Sequence, residues 1–186
     1  MQLRIPLGAS EFRNIRKDHL TYIDKTPLIR EVIADPAPVL LMPRPRRFGK
    51  TLNLTMLRAF LEKSDEPRGE LFEGLAIAGD TECRAHFQRY PTIAVTFKDV
   101  KARDWASCRR AMGEVIARAF TEHYALLDSG VLLPPEAALF NDYVFRRATE
   151  EQLTDSLRLL AEWLYRRHGE RVLILGAARI SVAVAI

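Results

Sequence analysis

Gly49, Lys50 and Thr51 stand together between an apolar run, Val39 to Met42, and a helix-like run, Leu52 to Glu62. Each residue type suits one task at an anion. Glycine lets the backbone come close to phosphate oxygens, and the first amides of a helix point outward at a negative charge. A lysine at that point reaches the β- and γ-phosphates of a nucleotide. A following threonine puts its hydroxyl on Mg²⁺. Arg44, Arg46 and Arg47 precede the trio and concentrate positive charge beside it. The pattern departs from the general phosphate loop, in which a glycine opens the turn four residues before Gly-Lys-Thr. Arg44 holds that position, and Pro43 and Pro45 fix φ on either side of it and remove two amide donors. Read locally, the segment is either a phosphate-binding (Walker A) loop or a helix start that carries Gly-Lys-Thr without a ligand.

The elements around it must bring the trio to one edge of a sheet. Val39 to Met42 does not alternate, which predicts a strand buried on both faces. Thr92 to Phe97 and Arg171 to Leu175 are two more apolar strand segments. Helical spacing fills the intervals. Thr26 is the expected N-cap and Pro27 the expected first residue of a helix that buries Leu28, Ile29, Val32 and Ile33. Leu54, Leu57, Phe60 and Leu61 line the helix after the basic loop. A short helix is expected from Glu82 to Gln88. Trp105, Cys108, Met112, Val115, Ile116, Ala119, Phe120, His123 and Leu127 make one face of a long helix, read as core. Pro134-Pro135 reads as a loop before a short helix from Glu136 to Arg147. Thr149-Glu150-Glu151-Gln152 is a capping box, followed by Leu153, Leu157, Leu160 and Leu164. Arg166, Arg167 and His168 fill the last turn before Gly169. Strands separated by helices argue for an α/β fold, a parallel sheet of about three core strands flanked by helices.

Composition narrows the partners. The chain has 186 residues, 48% hydrophobic and 28% charged, so it can bury a sizeable core as one domain, or one domain and a fragment. A formal charge of +4 and a pI near 9.3 favour an anionic ligand, nucleotide or nucleic acid. Cys83 and Cys108 lack metal-ligand spacing and read as reduced, packed thiols of a cytoplasmic protein. No apolar run of about 18 residues is present, which argues against a membrane span. Lys98 and Asp99 follow the second strand at the edge where open sheets bind ligands, although exposed surface charge also accounts for them. His123 reads as a core or edge histidine, without a ligand-spaced partner.

Residues 3–175 resemble the N-terminal part of the prokaryotic AAA-ATPase-like family, whose loop reads Arg-Pro-Arg-Arg-Phe-Gly-Lys-Thr. The resemblance is carried by Pro6-Leu7-Gly8, Phe12, Tyr22-Ile23-Asp24-Lys25-Thr26, Arg44 to Leu57, Phe97 to Asp99 and Ser156 to Leu175. In that family arginine takes the place of the first glycine. The resemblance implies a partial P-loop NTPase fold over residues 1–175. It also implies ATP and Mg²⁺ as cofactors, bound by Arg46, Arg47, Phe48, Gly49, Lys50, Thr51 and Leu52, with Thr51 on the metal. Asp24 and Lys25 match a family motif and are expected near the nucleotide. Family members continue from the third strand into Ile-Asp-Glu-Tyr-Asp, a lid and usually a nuclease-like domain. Here Gly176 to Ile186 holds no Asp or Glu and turns to small apolar residues. This tail is expected to be a foreign ending from a frameshift, a rearrangement or an early stop, or else the end of a natural short paralogue. The expected function is nucleotide binding with hydrolysis lost. The alternatives are a basic nucleic-acid-binding module or an inactive remnant.

Overall fold

The computed structural model describes residues 4, 8, 10–43, 48–98, 100–177 and, as backbone, 181–185. Four strands form one sheet in the order β1-β4-β3-β2: β1 Val39–Pro43, β2 Thr92–Thr96, β3 Leu173–Ala177 and β4 Ser181–Ala185. β2 and β3 are parallel, with Ala94 opposite Leu175. β4 turns back and runs antiparallel to both of its neighbours, placing Val184 opposite Leu40 on one side and Leu175 on the other. Because β4 opposes both, β1 points the same way as β3 and β2. The three strands expected from the sequence therefore share a direction and end at one edge. The fourth strand, formed by the tail, makes the sheet mixed.

Among the described residues seven α-helices cover the sheet: α1 Phe12–Lys17, α2 Pro27–Ala34, α3 Lys50–Leu61, α4 Thr81–Arg84, α5 Trp105–Glu122, α6 Pro134–Val144 and α7 Glu150–His168. Short 3-10 turns at Gly69–Phe72, Ala76–Gly79 and Tyr124–Ser129 connect them. Period-two alternation sorts the strand residues between two cores. Leu173 and Leu175 join Phe12, Ile29, Leu57, Phe60 and Phe72 in a cluster built on α1 to α4. Ile93, Val95 and Ile174 join Phe120, Phe140, Leu160 and Trp163 in a second cluster built on α5 to α7. The result is helices on both faces of a sheet.

Several expectations are altered. β1 lies at a sheet edge, so Val39 and Leu41 remain 58% and 62% exposed and only Leu40 and Met42 pack inward. Thr26 does not cap α2 with its side chain. Its buried hydroxyl donates to Asp24 and accepts the Ile77 amide instead. Pro134 and Pro135 do not form a loop but open α6, where a missing N–H costs nothing. α5 ends at Glu122, and its outer end leaves Trp105 61% exposed, so only the Ile116 to Phe120 part of the expected face is core. The short helix expected from Glu82 reaches only Arg84. By contrast, the α7 capping box forms in full. Thr149 Oγ1 accepts the Gln152 amide at 3.2 Å, and Gln152 Oε1 accepts the Thr149 amide at 2.7 Å. Gly169 ends that helix at φ +65°. Among the described residues no helix is long and apolar enough to cross a membrane.

Candidate functional site

β1 delivers the chain to the C-terminal edge of the sheet, and α3 carries it back along one face. Gly49 makes the junction at φ +70° and ψ +22°, the left-handed region that a side chain disfavours. It precedes Lys50, the first residue of α3, and its carbonyl accepts the Asn53 amide at 2.8 Å. The amides of Lys50, Thr51 and Leu52 lie before the first intrahelical donor, and no side chain caps them from Gly49. The partial positive charge of a 12-residue helix is thus presented at the sheet edge.

The helix is anchored so that this end stays in place. Leu54, Met56, Leu57, Ala59, Phe60 and Leu61 are buried along α3. Thr55 Oγ1 accepts the Phe12 amide at 3.0 Å, tying the start of α1 to the second turn of α3. At the far end Arg58 bonds Glu62 and Glu122, each at 2.8 Å, joining α3 to α5 around the β2 edge. Burial opposes the Arg58 charge, but these two carboxylates raise its pKa overall.

The expected site residues fall into three groups. Phe48 is 56% exposed beside the junction. Lys50, Thr51 and Leu52 are half-buried in the first turn of α3, where Leu52 packs on the larger apolar cluster. Arg44, Arg46, Arg47 and Asp99 lie outside the described residues. A cavity of about 280 Å³ opens beside Thr51 along the free edge of β2, between α3 and α5. Its polar lining includes Thr51, Thr96, Lys98, Arg118, Glu11 and Glu122. Lys98, for which exposed surface charge was the favoured explanation, lines this cavity. Ala177, the last residue of β3, also lines it, at the strand end where the resemblance leads one to look for an acid.

The sequence reading expected Lys25 near the nucleotide on the resemblance alone, and it missed Asn53, Glu11 and Arg118. Asn53, one turn into α3, is 5% exposed and its Oδ1 has no hydrogen-bond partner. Lys25 places its Nζ 3.9 Å from the point a Gly49 β-carbon would occupy, and Asn53 Oδ1 lies 4.0 Å from the same point. Glu11 and Arg118 reach the cavity from α1 and α5. None carries a spacing signal, because each is brought in by tertiary packing.

The donor set fits a nucleotide-borne metal better than a resident one. Among the described residues no group of three or more His, Cys, Asp or Glu gathers to hold an ion. A Mg²⁺ at Thr51 would take one hydroxyl from the protein and its other oxygens from phosphate and water. His123 does not enter the site. It sits at the end of α5 against Glu62 and the Thr92 backbone, and burial drives its pKa down to about 4. Cys83 is buried and Cys108 half-buried, both as free thiols.

No solved structure matches this chain. A protein of Azotobacter chroococcum mcd 1, described as an uncharacterized protein in the vnfD 5'region, is 32% identical over 114 residues. That match covers 61% of this chain but only 20% of the relative's length. The family described as predicted AAA-ATPases matches residues 6–176, nearly the whole sequence, and the chain belongs to this AAA-ATPase-like family.

Proposed function

We propose that the chain binds ATP at the N-terminus of α3, with hydrolysis absent or very slow. The observation that supports this reading is the left-handed Gly49 at the start of α3, after a strand that ends at the C-terminal edge of the sheet. Such a junction brings backbone donors and the helix dipole to bear on one anion. In this reading the amides of Gly49, Lys50, Thr51 and Leu52 take the phosphates. Lys50 adds an ammonium, Thr51 the hydroxyl for Mg²⁺, and Arg46 and Arg47 further charge from the preceding loop. Phe48 lies next to the bound nucleotide. Membership of the family supports nucleotide binding in general. ATP, rather than another nucleotide, and Mg²⁺ belong to the proposal.

Slow turnover is read from the end of β3, since the two carboxylates that line the cavity beside Thr51, Glu11 and Glu122, come from other elements and Glu122 is paired with Arg58. Phosphoryl transfer is driven by positioning of metal and water and by charge stabilisation. β3 ends in Ala177, and residues 172–186 contain no Asp or Glu to hold a metal water or polarise a nucleophile. Calorimetric titration of ATP with Mg²⁺ into the wild type and Lys50→Ala tests the reading. The variant should bind at least about tenfold more weakly, the worth of one charge-assisted contact. Equal affinities would refute the site. Phosphate release by the wild type should stay at the rate of the Lys50→Ala protein.

A further inference from the structure

The Asp24-Lys25-Thr26 turn is held from every side, and its lysine is held toward Gly49. Asp24 Oδ1 accepts the Thr26 amide at 2.8 Å and the Thr26 hydroxyl at 2.7 Å. Asp24 Oδ2 accepts the Ala76 amide at 2.7 Å. Burial alone would raise the Asp24 carboxyl, but these hydrogen bonds together hold it below its ordinary value. Thr26 is fully buried, and its Oγ1 accepts the Ile77 amide at 3.2 Å. The Lys25 amide donates to Tyr22 Oη at 3.4 Å, and that hydroxyl donates to Met56 Sδ on α3 at 3.2 Å. The carboxylate next door is thus occupied by amides and a hydroxyl.

What remains is a half-buried ammonium. Among the described residues no carboxylate and no hydrogen-bond acceptor pairs with Lys25 Nζ. It stands 3.9 Å from the β-carbon position of Gly49, and Asn53 Oδ1 stands 4.0 Å from the same position. Asn53 is only 5% exposed, and its buried Oδ1 accepts no hydrogen bond. An unpartnered buried acceptor carries a desolvation cost that a ligand or a repositioned donor relieves. A cation and a buried acceptor, neither with a protein partner among the described residues, thus lie near Gly49, one position before the first turn of α3.

We propose that Lys25 is a phosphate ligand of this site, a second ammonium on the oligophosphate taken by the α3 amides, with Asn53 Oδ1 accepting another of its three protons. The assignment rests on the nucleotide-binding reading and extends it to a segment that reading leaves without a role. It gives the Asp24 and Thr26 hydrogen bonds a purpose, which is to fix the backbone from which Lys25 reaches the anion. Two ammonium groups on one oligophosphate make the site selective for charge-dense ends, triphosphate above monophosphate.

The experiment is a calorimetric titration of the full chain with ATP, AMP and inorganic tripolyphosphate. The proteins are wild type, Lys25→Ala, Lys25→Met, Lys25→Arg and Lys50→Ala, with thermal melting of each unliganded protein. Lys25→Met keeps the alkyl stem and removes the charge, so it guards against loss of packing. Lys25→Ala and Lys25→Met should each bind ATP and tripolyphosphate about tenfold more weakly, with unliganded melting unchanged, and Lys25→Arg should recover most of the loss. If both neutral variants bind as tightly as wild type while Lys50→Ala does not, Lys25 is no ligand and the nucleotide reading stands. If wild type and Lys50→Ala bind tripolyphosphate equally or not at all, the nucleotide reading itself fails, and this assignment with it.

Discussion

Among single residues, Gly49 sets the geometry of the site as the left-handed N-cap of α3. Its φ of +70° is a conformation that a β-carbon penalises, and the space that carbon would enter is bordered by Lys25 Nζ and Asn53 Oδ1. Gly49→Ala should therefore show two separable effects. Strain in the left-handed region should lower stability by about 1 kcal/mol, read from urea unfolding. The methyl group should also crowd the anion, weakening ATP binding by more than the same strain does through stability. An alanine variant that unfolds earlier yet binds ATP like wild type would show that the space beside Gly49 is unused. The trio Gly49-Lys50-Thr51 was legible because its chemistry is local, in consecutive residues at a strand-to-helix junction. Lys25 and Asn53 were not legible as a pair. They are 28 positions apart in the sequence, and only the packing of Tyr22 on Met56 and of Thr26 on Ile77 brings them to the same glycine.

At the scale of elements, β4 changes the character of the sheet. Sitting between β1 and β3, it gives hydrogen bonds on both sides, so every amide in it belongs to a ladder. Val184→Pro removes one such donor from an interior strand, where proline is not tolerated. The expected loss is about 3 kcal/mol or more in the denaturant midpoint, with β1 amides such as Leu40 exchanging faster. Unchanged stability and unchanged Leu40 exchange would mean that β4 is not part of the folded sheet. The capping box of α7, the Gly169 stop and the apolar faces of α2 and α3 were readable, since each depends on residues three or four apart. The β4 strand was readable in principle. Ser181-Val182-Ala183-Val184-Ala185 alternates in the β-branched pattern of a strand, three residues after β3. Its small residues drew attention to composition instead of period. The exposure of Val39 and Leu41 was out of reach, because an unalternating run looks the same in a central and an edge strand until its neighbours are known.

At the scale of the molecule, the two cores meet around the free edge of β2, and His123 is lodged there. Arg58 and Glu62 face it from the α3 side, the Thr92 backbone from β2 and His168 from α7. Burial pushes the imidazole from an ordinary 6.5 down to about 4, outweighing the favourable pull of Glu62 and of the Thr92 backbone. Burial lowers His168 as well. In the folded chain His123 is therefore neutral between those values, while in the unfolded chain it takes up a proton below 6.5. The unfolded state then binds more protons, so stability falls as pH drops from about 6.5 to about 4 and levels off below, as far as this group is concerned. The loss is on the order of 3 kcal/mol for a histidine so enclosed. The acids held low, Asp24, Asp80, Asp104 and Glu136, act in a lower window, losing their contribution as pH falls through the ordinary carboxylate range and below. Urea midpoints measured from pH 7.5 to 4.5 should decline for wild type, and His123→Gln should remove most of the decline above about pH 5. Because His123 lies at the α3–α5 junction and not at Gly49, its protonation should loosen the union of the two layers without first altering the anion site. ATP affinity in the folded protein should then hold steady between pH 7 and 6 while the midpoint is already falling. A parallel fall of the two would place the titrating group at the binding site instead.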